Sequence, residues 1–255
     1  MSTTMRDQEQ QVRGAAPDGA RDERSAAQAV QRMFDEISPR YDLLNHVLSM
    51  NVDRLWWWRA ARAFRSNLQK PGARALDLCC GTGDMARALR KQAPGVVIIG
   101  LDFSRGMLTR GKGKFAHHRV SPVQGDALLL PFPDQTFEVV LSAFGFRNLA
   151  NYDAGLREIH RVLRPGGELG ILDFSEPAGA FGTLYRFYFR NVLPKIGAAI
   201  SGVSGPYSYL PASVSRFPSP EGMLERMQAA GYENSRWQAY TFGIAGLYRA
   251  TKRID

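Results

Sequence analysis

Nine residues, Leu76-Asp-Leu-Cys-Cys-Gly-Thr-Gly-Asp84, constrain this chain more than any others. Apolar Ala75, Leu76 and Leu78 lead into two glycines separated by one residue, and Met85, Ala88 and Leu89 follow at helical spacing. The pattern reads as strand, tight turn and helix, the arrangement that carries nucleotide cofactors.

Downstream the same alternation repeats. Val96 to Leu101 runs into Asp102, Arg119 to Gln124 into Gly125-Asp126-Ala127, and Phe137 to Phe144 into Gly145-Phe146-Arg147-Asn148. A helix with a core face of Leu156, Ile159 and Leu163 stops at Pro165-Gly166-Gly167, and a strand over Gly167 to Phe174 follows. Strands separated by helices predict an α/β fold with a parallel, doubly wound sheet. Ligands of such sheets bind beyond the carboxyl ends of the strands, and Asp77, Asp102, Asp126 and Arg147 all fall there, along one rim. The chain closes with an amphipathic helix over Glu221 to Ala230 and two strands, Arg236 to Tyr240 and Gly243 to Thr251, whose short link makes them antiparallel.

Two cofactor classes compete for the glycine turn. Gly81-Thr-Gly83-Asp-Met-Ala86 satisfies the loose dinucleotide pattern, and Asp102 stands 19 residues past Gly83, where a ribose-binding acid belongs. Charge argues against a dinucleotide, because Asp77 and Asp84 bracket the glycines and would repel a pyrophosphate at the helix N-terminus. S-adenosylmethionine, with its ammonium and sulfonium, suits them better. Asp84 as a simple helix cap is the bland alternative. With the cationic cofactor, Gly81 and Gly83 admit close backbone approach, Thr82 serves the methionine end, and Asp77 meets the ammonium. Asp102 then accepts from the two ribose hydroxyls, and Asp126 accepts from the adenine amino group beside the Ala127 N–H.

The rest of the chain bears on partners. Residues 1–26 are polar and poor in large apolar side chains, and read as a disordered lead to a single domain over 27–255. No stretch is apolar for long enough to export or span, which predicts a cytoplasmic protein. Cys79 and Cys80 are the only cysteines, adjacent, and suit neither a disulfide framework nor a metal site. Between Ala27 and Leu68, Val30, Met33, Phe34 and Ile37 share one helical face, Trp57, Ala61, Phe64 and Leu68 another, and Trp56 to Trp58 cannot all face one core. A net charge of +9 points to an anionic surface. The segment 177–220 lacks acids, while Arg186, Arg190, Lys195 and Arg216 stand among Phe181, Tyr185, Phe187, Tyr188, Phe189, Tyr207, Tyr209 and Phe217, with a helical part around Leu184 to Leu193. Such an insertion suits a polyisoprenoid substrate or a membrane surface, and would also suit nucleic-acid stacking.

Together with the Gly-Thr-Gly-Asp turn, the segments Tyr41-Asp-Leu-Leu-Asn45, Leu130-Pro-Phe-Pro-Asp134, Phe144-Gly-Phe-Arg-Asn148 and Phe217 to Arg249 resemble the menaquinone and ubiquinone biosynthesis C-methyltransferases. The resemblance spans Val30 to Lys252 and implies a class I methyltransferase fold: a Rossmann-like, seven-stranded sheet whose last strand is antiparallel, binding S-adenosylmethionine through Thr82, Asp102, Asp126 and Ala127. Where some members carry serine, this chain has Ala143. The implied substrate is a prenylated quinol, demethylmenaquinol or a ubiquinol precursor, with the naphthoquinol preferred. An aromatic carbon attacks a sulfonium methyl only when its ring is electron-rich, so a phenol with a pKa near ~10 should lose its proton during the reaction. Arg147 is a poor base and a good cation, so Arg147 and Asn148 are the expected catalytic pair at the phenol oxygen, with Tyr41 or His46 as helper. A nucleic-acid methyltransferase lacks a supporting motif, so no nucleic-acid partner is expected. A non-catalytic membrane scaffold is the third class, and oligomeric state is left open.

Overall fold

The computed structural model describes residues 13–15, 17, 19–37, 51–177, 179, 182–183, 191 and 205–254. Tyr41 and His46 lie outside them, as does almost all of the helix expected around Leu184 to Leu193, with the aromatic and basic residues it carries.

The strands are β1 (Arg74–Leu78), β2 (Val97–Asp102), β3 (Val120–Gln124), β4 (Phe137–Ala143), β5 (Leu163–Phe174), β6 (Tyr232–Tyr240) and β7 (Ala245–Lys252). They form one seven-stranded sheet in the order β3-β2-β1-β4-β5-β7-β6. β1 to β5 run parallel, and β7 lies antiparallel to both β5 and β6. This is the predicted sheet with its antiparallel last strand. The order reverses between β1 and β4, which opens a crevice at the carboxyl ends of the strands.

The central strands are buried almost without a break, because both faces of the sheet are covered. Along β1, β4 and β5, Ala75, Leu141 and Leu172 face one apolar layer while Leu76, Val140 and Ile171 face the other. The first layer is closed by α2 (Val52–Ala63), α3 (Arg65–Leu68) and α4 (Asp84–Gln92), through Trp56, Phe64, Leu68 and Leu89. The Phe64 ring fits over Gly170, where a Cβ would stand 2.6 Å from it. The second layer is closed by α6 (Tyr152–Val162) and α8 (Pro220–Ala229), through Leu156, Ile159, Met223 and Met227. Of the three consecutive tryptophans, Trp56 and Trp57 are buried and Trp58 is exposed, so the outer one is left to solvent.

Several boundaries differ from the sequence reading: β6 begins at Tyr232, four residues before Arg236, and two other differences bear on packing. Leu163 belongs to β5, not to the preceding helix: it pairs with Phe137 across a register shift that absorbs Pro165-Gly166-Gly167. At the other end, α1 (Glu23–Ile37) begins inside the expected lead. The Ser25 N–H donates to Asp22 Oδ1 at 2.7 Å, and Ala26 is wholly buried. Ahead of it, Ala15 N–H donates to Leu149 O at 2.8 Å, so part of the polar lead is fastened to the domain.

Candidate active site

The glycine turn is shaped by contacts rather than by composition alone. Gly83 ends it at φ 94° and precedes α4, and a Cβ there would stand 2.5 Å from the Phe115 ring of α5 (Arg105–His118). Only glycine meets both conditions. Beside it, Gly145 lies so close to Cys79 that a Cβ would come within 2.3 Å of the Cys79 Cβ. The first approach seats the turn on α5, and the second closes the chain past β4 onto the end of β1.

There a cleft of about 770 Å³ opens, lined by Gly81, Asp102, Asp126, Ala127, Ala143 and Asn148 among others. Asp102 is its most constrained acid: Oδ2 accepts from Gly81 N–H and Oδ1 from Ser104 N–H, both at 2.8 Å. Burial, reinforced by the nearby Asp35 carboxylate, pushes Asp102 up to about 6 despite those bonds. Asp126 accepts from Leu128 N–H at 2.9 Å, which turns the chain so that Ala127 faces the cleft.

Three residues expected at the site stand behind its wall. Asp77 is 1% exposed, and its Oδ2 accepts from Ala86 N–H at 2.8 Å. Burial drives its pKa well above the usual carboxylate range, and its Oδ1 has no hydrogen-bond partner. Thr82 is 2% exposed and its hydroxyl accepts from Lys114 Nζ at 3.0 Å. Asp84, expected to repel a pyrophosphate, is paired with Lys114 at 3.1 Å and Arg87 at 3.8 Å. The carboxylates bracketing the glycines therefore do not present bare charge to the cleft, and that argument for a cationic cofactor loses its ground. The unpartnered Asp77 oxygen still fits a donor such as an ammonium.

Arg147 departs furthest from expectation. It is 6% exposed, its guanidinium donates to Asp173 Oδ1 at 2.8 Å and to Phe144 O, and its N–H donates to Asp173 Oδ2 at 3.1 Å. Its charge is thus already matched by a fully buried carboxylate. What faces the cleft is its neighbour Asn148, 9% exposed, whose Nδ2 has no partner in a nearly closed environment. The Tyr209 hydroxyl of α7 (Gly205–Arg216) donates to Asn148 Oδ1 at 3.1 Å, leaving the amide donor for the cleft. Burial pushes Tyr209 up to about 12, so the hydroxyl keeps its proton.

Sequence reasoning missed the far wall. Ala27, Val30, Gln31 and Phe34 of α1 line the cleft. Gln31 Nε2 donates to Phe103 O at 2.9 Å, Asp35 accepts from the Ser104 hydroxyl and, at 2.9 Å, from Gly106 N–H, and Asn151 donates to Glu23 at 2.8 Å. The apolar face of Val30 and Phe34 was visible in the sequence, but nothing distinguished a ligand wall from a core face. Tyr209 stood out only as one aromatic of the 177–220 segment, and Asp173 carried no local motif.

The residues present fit S-adenosylmethionine: a half-buried two-oxygen acceptor at Asp102, an acid and a backbone N–H at Asp126 and Ala127, and an orphaned acceptor at Asp77. Among the described residues no group of three or more His, Cys, Asp or Glu could hold a metal ion, and no helix is long and apolar enough to cross a membrane.

Comparison with known proteins points the same way. The model of the ubiE/COQ5 methyltransferase family matches residues 21–252. A demethylmenaquinone methyltransferase of Deinococcus radiodurans is 49% identical over 235 residues, covering 91% of this chain and 96% of that protein. A ubiquinone/menaquinone biosynthesis C-methyltransferase of Geobacter sulfurreducens is 42% identical, covering 88% and 89%. Among solved structures, a SAM-dependent methyltransferase of Thermotoga maritima superposes with a TM-score of 0.61 at 19% identity, over 88% of this chain and all of that one.

Proposed function

This chain belongs to the ubiE/COQ5 methyltransferase family, and on that premise we propose that it methylates a ring carbon of a prenylated quinol, demethylmenaquinol in the first instance, using S-adenosylmethionine. The observation that most supports the naphthoquinol is the 49% identity to a demethylmenaquinone methyltransferase over nearly the whole chain. The Geobacter relative's name keeps a ubiquinol precursor as the second reading.

The cofactor supplies an electrophilic methyl group. Asp102 holds the ribose hydroxyls, Gly81 lets the backbone close on the ligand, and Asp126 with Ala127 N–H reads the adenine edge. Asp77 offers its unpartnered oxygen to the ammonium, and Thr82 shapes the turn beside it through Lys114. On the substrate side, Asn148 Nδ2 donates to the quinol oxygen that loses its proton, and a donor fixed before the reaction favours the charge that develops there. Arg147, paired with Asp173, is then a positioning residue: it holds the Phe146–Asn148 turn so that the amide is aimed inward. Tyr41 or His46, both outside the described residues, is the helper at the phenol on chemical grounds. A quinol with a long apolar tail implies a cytoplasmic protein working at the inner face of a membrane.

The test is methyl transfer from labelled S-adenosylmethionine to demethylmenaquinone, reduced or oxidised. Label should enter the reduced naphthoquinol and not the oxidised quinone. Transfer to neither, with label entering RNA instead, would remove the reading.

A further inference from the structure

The face of α2 turned away from the sheet carries a combination that the cleft does not use. Successive helical residues advance by about 100°, so Leu55, Trp58, Arg59 and Arg62 share an arc of roughly 100°. All four are exposed, Leu55 by 50% and Trp58 by 42%. The helix's one acid, Asp53, is turned inward and is 3% exposed. The Arg62 guanidinium lies over the Trp58 ring at 5.2 Å and that of Arg59 over Tyr240 at 4.6 Å. On the α4 side, Arg54 and Trp58 join Arg87 and Lys91 around a depression of about 450 Å³, whose single carboxylate, Asp84, is already held by Lys114.

A second element extends this surface. In the turn between β6 and β7, Phe242 is 84% exposed and sits at φ 57°, a conformation that bulky side chains rarely adopt. Trp56 Nε1 donates to Thr241 Oγ1 at 2.8 Å and so ties the turn to α2. The same Trp56 ring packs at 5.9 Å on Phe144, which lines the cleft. The exposed apolar residues and their cations therefore border the site.

We propose that the outer face of α2 and the Thr241–Gly243 turn form a docking surface for a bilayer carrying anionic lipid. Leu55, Trp58 and Phe242 enter the interface, while Arg54, Arg59 and Arg62 meet the headgroups. An aliphatic leucine and a phenylalanine held out in a strained turn gain nothing from a nucleic-acid backbone, whereas both gain from acyl chains. The surface rests on the quinol reading only for its purpose: it would set the cleft beside the layer in which a prenyl tail resides.

Sedimentation with vesicles of phosphatidylcholine, with and without phosphatidylglycerol, tests the proposal. The intact protein should partition onto the anionic vesicles, and Leu55→Ser with Trp58→Ser and Phe242→Ser should weaken partitioning about tenfold or more. Arg54→Glu with Arg62→Glu should erase the preference for anionic lipid by about the same factor. Both variants should keep their melting temperature, S-adenosylmethionine affinity and turnover of a short-tailed, water-soluble quinol. Intact protein that stays in the supernatant, variants that partition like the parent, or binding to RNA in place of vesicles would each overturn the docking surface. Intact protein that stays off the vesicles yet turns over the short-tailed quinol overturns this inference alone. Vesicle binding without transfer to any quinol overturns the functional reading and leaves the surface standing.

Discussion

Replacing Asp173 by asparagine separates two roles for Arg147. Asp173 is completely buried and takes the Arg147 guanidinium at 2.8 Å, the Arg147 N–H at 3.1 Å and the Phe174 N–H at 2.9 Å. The asparagine keeps the shape and one acceptor oxygen but leaves the arginine charge uncompensated in an enclosed place. Breaking a buried pair in this way costs about 3–5 kcal/mol. For a chain of this size that corresponds to a melting temperature lower by roughly 6–20 °C. The two roles differ in turnover at a temperature where the variant is still folded. If the pair only holds the 146–148 turn, kcat falls as the Asn148 amide loses its aim, and S-adenosylmethionine affinity stays nearly unchanged. If the arginine charge itself acts on the phenolate, freeing it from Asp173 raises kcat or leaves it level. Calorimetry for the cofactor, scanning calorimetry for stability and methyl transfer to the quinol give the three readouts. The double change Arg147→Met with Asp173→Leu adds a check, since it should recover much of the stability and none of the turnover. A variant Asp173→Asn with parental stability, or with faster turnover, would refute the positioning role.

Tyr209→Phe removes only the hydroxyl that pins Asn148, so kcat should fall up to about tenfold while stability moves by about 1 kcal/mol, as steady-state kinetics and thermal unfolding would show. Asp102 binds the ribose as a carboxylate and its pKa is raised to about 6, so cofactor affinity should be complete above that value and fall as pH drops through it. At pH ~5 titration calorimetry should find binding about tenfold weaker than at pH ~8, and a flat profile would count against the assignment. Gly83→Ala forces a side chain into the left-handed region and against the Phe115 ring, and should cost about 2 kcal/mol or more in chemical denaturation.

The sheet was legible because its signals are local. The ends of β1 to β4 are marked by a change from an apolar run to Asp or Gly, and the unbroken burial of Val139, Val140 and Leu141 follows from the strand being covered on both sides. Of the four residues that strand endings put on the rim, Asp102 and Asp126 line the cleft, together with Ala127 and Asn148 beside Asp126 and Arg147, whereas Asp77 and Arg147 do not. The surroundings of Arg147 were not legible, because its partner lies 26 residues away at the end of a neighbouring strand, and only the β4–β5 pairing puts the two together. The same holds for Asp77: a carboxylate at a strand end looks accessible on paper, whereas the packing of α4 over β1 hides it. The role of α1 was hidden for a different reason. An apolar helical stripe has the same spacing whether it meets core or ligand, so Val30 and Phe34 carried no mark of which they would touch.

One wall of the cleft comes from α1, more than sixty residues before the first acid it faces, and is held there by Glu23, Gln31 and Asp35 without contributing to any strand. The sheet and the covering of its trough are therefore built from separate stretches of the chain. A protein shortened to begin at residue 51 keeps the sequence of every β-strand described above and loses the α1 wall, so its ligand should escape more readily than its architecture fails.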